Sequence, residues 1–227
     1  MISRRQMFAG AAALPLASAL VARGETRQVA TASTSSNGKR QFAPPLSGRE
    51  VMRRRYFPDI ELVTSDGEKV RFYDDLLKDK IVILNAMYAK CEGACPTTIS
   101  NLKTVRNILR REIDHDIYFY SMTVKPEQDS PAALKEYARL HGIKDPHWLF
   151  LTGKPDEMDL LRHKLGFADP NPEKDKDKSR HSGVLRYGNE PMSIWGMCQG
   201  SAEPEWIAQE IGFAVPRQFK RHPRVND

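Results

Sequence analysis

The sequence predicts an α/β fold in which a central sheet carries helices on both faces. Two observations predict it. Unbroken apolar runs, such as IVIL at residues 81–84, are typical of central strands that are buried on both faces. Between these runs, apolar residues recur every three or four positions, which is typical of amphipathic helices. Because strands and helices alternate along the chain, we expect one sheet whose strands are connected by helices.

The first predicted secondary-structure elements begin at residue 56. Alternating apolar and polar residues around residues 65–67 predict a hairpin of two short strands, and an amphipathic turn follows at residues 72–77. The run KIVILNAMYA, residues 80–89, predicts a central strand that ends at two cysteines. After Pro96, helical periodicity predicts a long helix to about Arg111. Its apolar positions are Ile99, Leu102, Val105, Ile108 and Leu109.

The second half of the chain continues the alternation. We predict strands at residues 116–124 and 147–153 and helices at residues 130–142, 154–166 and 203–212. Ser130 is the expected cap of the first of these helices, and Gly142 is its expected stop. A charge-rich loop at residues 168–180, predicted to be solvated, precedes a hairpin that is expected to turn at Gly188 and Asn189.

Residues 1–24 indicate an export signal. A basic start with Arg4 and Arg5 and an apolar stretch from Met7 to Ala22 resemble a twin-arginine signal. An uncleaved membrane anchor is the alternative, because about 16 apolar residues are slightly fewer than the roughly 20 that span a bilayer. Either way, the folded part is expected outside the cytoplasm, in the periplasm, where cysteine pairs oxidise readily.

The rest of the chain divides by composition. Residues 25–47 are too polar to pack and indicate a flexible linker, residues 48–215 form the predicted domain, and residues 216–227 indicate a frayed tail. The net charge of +6 arises from 35 basic and 29 acidic side chains that are spread along the chain. This argues against nucleic-acid binding and leaves weak attraction to an anionic surface or partner.

Cys91 and Cys95 lie at the predicted strand-to-helix junction and are followed directly by Pro96. Residues four apart are neighbours in the first turn of a helix, so we expect both sulfurs to face one solvent pocket. Because a helix N-terminus stabilises anions, the pKa values of these thiols are expected to fall. Two thiolates suit Cu(I) and are too few for a closed zinc or iron–sulfur site. Disulfide exchange and a structural disulfide are the alternative interpretations of the pair.

The region from about Phe57 to Ile211 resembles the Sco/SenC family of thioredoxin-fold copper-binding proteins, which help to assemble the copper centre of cytochrome oxidase. The segments that carry the resemblance are VILNAMYAKCEGACPTTISNL, SMTVKPEQDSPAALKEYA, LTGKPDEMDLL and RHSGVLRYG. The resemblance implies a thioredoxin-like fold with an added N-terminal hairpin. It also implies that Cys91, Cys95 and His181 bind copper: Cu(I) through the sulfurs, and Cu(II) through both sulfurs and the imidazole.

The resemblance implies a metallochaperone rather than an enzyme in the strict sense, one that passes copper to an acceptor subunit of a respiratory oxidase. The alternative is a thiol-disulfide oxidoreductase, in which Cys91 and Cys95 are a redox-active pair that reduces the cysteines of a copper-site protein. Family members commonly carry Asp where this chain has Lys125 and Arg180. Together with Lys90, these cations favour thiolates over a bound divalent cation.

Other soft or titratable side chains are expected to be structural. Cys198 is predicted to be a small buried hydrophobe on a strand, with a resolving thiol as the alternative. Met87, Met192 and Met197 carry thioether sulfurs, but methionine on strands usually fills the core. The remaining histidines are predicted to be structural or solvated; they are His115, His141, His147, His163 and His222.

Overall fold

A computed structural model of the chain describes residues 45–91, 93–178 and 183–215. The predicted export signal, most of the predicted linker and the predicted tail lie outside the described residues, so the division of the chain into these segments stays a prediction. Within the described ranges, no helix is long and apolar enough to cross a membrane.

The strands of the described chain form one mixed sheet. They are β1 Glu61–Thr64, β2 Lys69–Arg71, β3 Ile81–Met87, β4 Ile117–Thr123, β5 Trp148–Thr152, β6 Val184–Asn189 and β7 Ile194–Gln199. Their order in the sheet is β2-β1-β5-β4-β3-β6-β7. The central strands β3, β4 and β5 are parallel, and the other neighbours are antiparallel. The predicted mixed sheet and its N-terminal hairpin of β1 and β2 are confirmed.

The helices connect the strands as predicted. They are α1 Gly48–Tyr56, a π-helical turn Phe72–Leu77, α2 Ala94–Glu112, α3 Pro131–Leu140, α4 Pro155–Lys164, the single turn α5 Pro172–Asp175, and α6 Pro204–Phe213. The turn α5 lies in the stretch predicted as a loop, and helix α1 was also not predicted. The hydroxyl of Ser47 caps it by accepting a hydrogen bond from the amide of Glu50 at 3.2 Å. This Ser-x-x-Glu spacing is a helix-start signal that the sequence does carry.

Two apolar cores cover the two faces of the sheet. Side chains of α2, α3 and α6 pack on one face, and those of α4 and the π-helical turn pack on the other. Successive residues of β3 point to opposite cores, since Ile83 belongs to the first and Val82 and Leu84 belong to the second. The core of α2, α3 and α6 also contains all three cysteines, so the candidate site lies at one end of a packed helix–sheet interface.

The hairpin of β6 and β7 turns later than predicted. Gly188 and Asn189 are the last residues of β6, where they pair with Trp195 and Ile194, and residues 190–193 make the connection. A side chain on Gly188 would overlap the ring of Trp195. Glycine therefore serves close packing at this position and not the turn, which is why the Gly-Asn signal misplaced it.

Candidate metal centre

The cysteines lie where β3 runs into α2, as predicted. Cys91 follows the end of β3, and its amide donates to the carbonyl of Tyr88 at 3.1 Å, which turns the chain toward the helix. Cys95 lies in the first turn of α2, and Pro96 follows it. Proline is tolerated there because the amides of a first helical turn have no partner within the helix.

The two sulfurs are thiols joined by a hydrogen bond. Cys91 is 7% exposed and Cys95 is 1% exposed, so they share a buried pocket and not the predicted solvent pocket. Burial, followed by the hydrogen bond to Cys91, raises the pKa of Cys95 well above its ordinary value, although the amides of Tyr88 and of Cys95 itself oppose the shift. The predicted fall in pKa is therefore wrong for Cys95, because desolvation outweighs the helix N-terminus.

Tyr88 connects the thiol pair to a lysine. Its hydroxyl forms a hydrogen bond with the sulfur of Cys91. Burial, followed by the negative charge that Cys91 carries when it is ionised, raises the pKa of Tyr88, so the hydroxyl stays protonated and acts as the donor. The Nζ atom of Lys125 stands 4.0 Å from the centroid of the Tyr88 ring, within cation–π distance. Lys125 thus lies beside Tyr88, the hydrogen-bond partner of Cys91. Lys90 is exposed, and Arg180 lies outside the described residues.

A buried carboxylate, which the sequence interpretation missed, fixes the cysteine segment. Asp129 is 2% exposed, and its Oδ2 atom accepts hydrogen bonds from the amide of Ala89 at 3.1 Å and from the hydroxyl of Thr123 at 2.5 Å. The same hydroxyl oxygen accepts a hydrogen bond from the amide of Lys125 at 2.9 Å. Asp129 therefore ties the chain just before Cys91 to the end of β4.

The charged loop before His181 is attached to α4. The buried guanidinium of Arg162 forms ion pairs with Asp159 and Asp175. The hydrogen bond from Arg162 lowers the pKa of Asp175 to about 2. Most of the loop is exposed, as predicted, but the side chain of Asp175 is largely buried. Farther along the loop, the charge of Asp177 contributes to the raised pKa of Tyr88. The loop therefore passes near the cysteine segment.

His181 itself lies outside the described residues, and the described chain resumes at Gly183. The carbonyl of Gly183 accepts a hydrogen bond from the amide of Gly200 at 2.9 Å. A Cβ atom on Gly200 would lie 2.7 Å from that carbonyl oxygen and 2.8 Å from Cγ2 of Thr98. Gly183 thus runs close to the second turn of α2, immediately beyond Cys95.

Within the described ranges, no group of three or more His, Cys, Asp or Glu side chains could hold a metal ion. The described part of the site consists of the two sulfurs of Cys91 and Cys95. Soft sulfur donors in an apolar pocket fit Cu(I), which accepts low coordination, and do not complete a tetrahedral zinc site. The donor set therefore fits copper as predicted from the residues.

The other sulfur side chains differ in burial. Cys198 is buried on β7, and burial followed by the charge of Glu210 raises the pKa of its thiol to about 11. Its prediction as a small buried hydrophobe is confirmed. Met87 fills the core as predicted, but Met197 is exposed on β7, the edge strand of the sheet, and Met192 is exposed in the connection before it. Methionine at these two positions does not fill a core.

The predicted roles of the other described histidines are confirmed. The ring of His141 packs on Tyr137 at 4.2 Å between centroids, and that of His147 packs on Tyr118 at 4.6 Å. His163 lies within ion-pair distance of Asp159 and Asp175, and His115 is exposed. His222 lies outside the described residues.

Comparison with known proteins identifies the family. The sequence profile of SCO1/SenC matches residues 51–215. The chain belongs to the SCO1/SenC family. A family relative from Stutzerimonas stutzeri, named as a candidate copper-binding protein, is 30% identical over 135 residues, which cover 59% of this chain and 64% of that protein. The chain spans between 44% and 64% of the length of the first curated relatives that it matches.

Solved structures of the family share the fold. ScoI of Bradyrhizobium japonicum, determined with copper bound, has a TM-score of 0.53 and 24% identity, covering 68% of this chain and 96% of that one. BsSco, a member of the Sco family of cytochrome c oxidase assembly proteins in which a disulfide switch was identified, has a TM-score of 0.57 and 20% identity, covering 70% and 93%. The predicted thioredoxin-like Sco fold is therefore confirmed.

Proposed function

We propose that this chain is a periplasmic metallochaperone that binds copper and passes it to an acceptor subunit of a respiratory oxidase. The observation that carries the proposal is the contact between two buried sulfurs, Cys91 and Cys95, at the start of α2. Soft donors in an apolar pocket favour Cu(I) over harder cations. Membership of the SCO1/SenC family and the likeness to copper-bound ScoI agree with this assignment. The export signal predicted at residues 1–24 supports the periplasmic location.

His181 is the proposed third ligand, and the two described flanks of its segment support this role. Gly183 lies near Thr98. Two residues of chain span at most about 7 Å, and Thr98 is only about 4.5 Å along the helix axis from Cys95. On the other flank, the charge of Asp177 contributes to the raised pKa of Tyr88, which lies three residues before Cys91. The length of the chain therefore allows the imidazole to reach the sulfurs.

The two sulfurs differ in the step they perform. Cys91 is the less buried residue of the pair, and its sulfur accepts hydrogen bonds from Tyr88 and Cys95. We therefore assign to Cys91 the first contact with incoming copper and the exchange of copper with the acceptor. Cys95 is buried and protonated, and it must release its proton when the ion binds, so uptake is coupled to proton release.

An anaerobic titration with Cu(I) and then Cu(II), read by absorption, tests this function. We expect the reduced full-length chain to bind about one equivalent of either ion. His181→Ala is expected to lose roughly 100-fold in Cu(II) affinity together with the sulfur-to-copper charge-transfer band, because removal of a ligand costs at least as much as removal of an outer-shell partner. Its Cu(I) binding is expected to persist through the two sulfurs.

His115→Ala is the matched control, because His115 is exposed in a turn after α2, and it should titrate like the wild type. Failure of the reduced wild type to bind Cu(I) would contradict the proposed function. An unchanged Cu(II) spectrum in His181→Ala would instead remove only that residue from the ligand set.

A second candidate function, thiol-disulfide exchange, is favoured by the asymmetry of the pair. Both residues are buried, but Cys91 is the less buried of the two and Cys95 has a raised pKa, as expected for an attacking and a resolving thiol. The thiolate of Cys91 would attack a target disulfide, forming a mixed disulfide and releasing one target thiol. Cys95 would then attack Cys91, releasing the second target thiol and leaving the Cys91–Cys95 disulfide. Two electrons and two protons pass to the target.

A trapping experiment with a disulfide-bonded peptide tests this second function. Cys95→Ser lacks the resolving thiol and is expected to accumulate the mixed disulfide through Cys91. Cys91→Ser is expected to form none, and Cys198→Ser should turn over like the wild type. Equal trapping by Cys91→Ser and Cys95→Ser would refute the assigned order of attack.

A further inference from the structure

The turn that follows β7 is fastened to α2, the helix that carries Cys95. The side-chain amide of Asn101, in the second turn of α2, donates hydrogen bonds to the carbonyls of Gly200 and Ala202, each at 2.9 Å. The acceptors lie 99 and 101 residues farther along the chain, so these bonds join distant segments. Two bonds from one planar amide group fix both the distance and the orientation of the turn relative to the helix.

The same turn holds the start of β6. The amide of Gly200 donates a hydrogen bond to the carbonyl of Gly183 at 2.9 Å, and the carbonyl of Gly200 accepts the bond from Asn101. Gly200 is therefore bonded to α2 on one side and to the residue before β6 on the other. Gly183 has a φ of 63°, a left-handed conformation that favours glycine. The start of β6 thus takes its position relative to α2 from Gly200.

The approach at Gly200 leaves no room for a side chain. A Cβ atom there would lie 2.7 Å from the carbonyl oxygen of Gly183 and 2.8 Å from Cγ2 of Thr98. The first atom belongs to the backbone and Thr98 is 2% exposed, so neither group can move away freely. The φ of Gly200 is not in the left-handed region, so alanine could adopt its backbone conformation. Glycine is required here for close packing.

His181, the proposed third copper ligand, lies two residues before Gly183 in the sequence. Two residues of chain span at most about 7 Å, so a shift of Gly183 changes the positions that the imidazole can reach. We propose that Gly200 and Asn101 are positioning residues that hold Gly183 against the second turn of α2. They thereby set the distance between His181 and the sulfur of Cys95, a role that rests on the proposed function.

This contact should act on Cu(II) and not on Cu(I). Cu(I) is proposed to bind through the sulfurs of Cys91 and Cys95, which precede the contact on the chain and are bonded to each other. Cu(II) is proposed to need the imidazole of His181 as well. A displaced start of β6 should therefore weaken Cu(II) binding alone.

Gly200→Ala tests the inference in the full-length chain. We expect its Cu(II) affinity, measured by competition with a chelator, to fall about tenfold, as for loss of an outer-shell partner. Its Cu(I) affinity should stay at the wild-type value, so the reduction potential of bound copper should rise by about 59 mV. Asn101→Ala removes both hydrogen bonds without creating a clash and should change the two affinities in the same way. Wild-type Cu(II) affinity in both variants would overturn the inference.

A double variant shows whether Gly200 acts through His181. If it does, His181→Ala combined with Gly200→Ala should bind Cu(II) as weakly as His181→Ala alone, because the two changes remove the same interaction. A further loss in the double variant would contradict the proposed role, since it would show a general effect on the structure.

The metal-free protein provides a readout without copper. The amide of Gly200 should exchange its hydrogen about tenfold faster in Asn101→Ala than in the wild type, because the turn loses two hydrogen bonds to α2. Amides in the middle of β6 should keep their rates. Unchanged exchange at Gly200 would show that Asn101 does not hold the turn.

Two other glycines serve as matched controls. Gly212→Ala places its Cβ in open space and should behave as the wild type in every measurement. Gly188→Ala creates a clash with the ring of Trp195 at the far end of β6, roughly 17 Å along the strand from Gly183. It should lower stability but keep the wild-type ratio of Cu(II) to Cu(I) affinity. If Gly188→Ala lost Cu(II) affinity as Gly200→Ala does, a purely structural effect would replace the inference.

Failure of the inference differs from failure of the proposed function. If Cu(II) affinity fell in His181→Ala but not in Gly200→Ala or Asn101→Ala, the inference alone would fail. If the wild type bound neither ion, the proposed function would fail, and the inference would fail with it.

Discussion

Cys91→Ser is expected to weaken Cu(I) binding by more than about 100-fold, since loss of an outer-shell partner alone costs about 10–100-fold. One buried sulfur remains at Cys95, and a hydroxyl is a poor donor for a soft ion. Serine is nearly isosteric with cysteine and can keep the hydrogen bonds to Tyr88 and Cys95, so we expect the free energy of unfolding to change by no more than about 1 kcal/mol. Competition titration and denaturant unfolding measure the two quantities.

Cys198→Ser is the control with the opposite pattern. Cys198 is buried on β7 in the same core, and serine there places a hydroxyl among apolar side chains. We expect it to lose about 1–2 kcal/mol of stability and to keep wild-type Cu(I) affinity. Loss of Cu(I) binding in Cys198→Ser, or tight binding that survives in Cys91→Ser, would show that the sulfur pair is assigned wrongly.

Asp129→Ala is expected to have the largest effect on stability. The substitution leaves the amide of Ala89 and the hydroxyl of Thr123 without their shared buried acceptor, and each unsatisfied group costs about 1–3 kcal/mol. We expect a loss of roughly 3 kcal/mol, or about 10 °C in Tm for a domain of this size. Because the segment before Cys91 is released, Cu(I) affinity should also fall about tenfold.

Two variants separate the hydrogen bonds from the charge at this position. Asp129→Asn retains an acceptor oxygen but removes the charge, so it should lose about half of the stability that Asp129→Ala loses. Asp66→Asn changes an exposed Asp whose ion pair with Lys135 lies on the surface, and it should be neutral. Wild-type stability in Asp129→Ala would show that the carboxylate does not fix the cysteine segment.

Much of the fold follows from local patterns. The apolar run of β3 and the periodic apolar face of α2 are enough to place Cys91 and Cys95 at a strand-to-helix junction. The two errors in predicting elements have different causes. Gly188 looked like a turn residue because its role, room for the ring of Trp195, depends on a residue across the hairpin. Helix α1 was missed although Ser47 and Glu50 carry its start signal.

The chemistry around the sulfurs was less predictable. The position of Cys95 at a helix N-terminus predicts a lowered pKa. In the structure Cys95 is buried in the core and its pKa is raised, because desolvation depends on the side chains that pack around it from all sides. Asp129 was missed because it accepts a hydrogen bond from Ala89, which lies 40 residues earlier in the sequence. No periodicity or spacing signals such a contact.

The sequence by itself determined most of the strands and helices and their order along the chain, because periodicity is a local property. It also determined the sulfur pair at the end of β3 and the resemblance to the SCO1/SenC family, because short motifs are local as well. Only the tertiary structure decided that the pair is buried and that Tyr88 and Asp129 hold it. Burial and hydrogen bonding depend on which distant segments meet, and that is set by packing of the whole sheet and its helices.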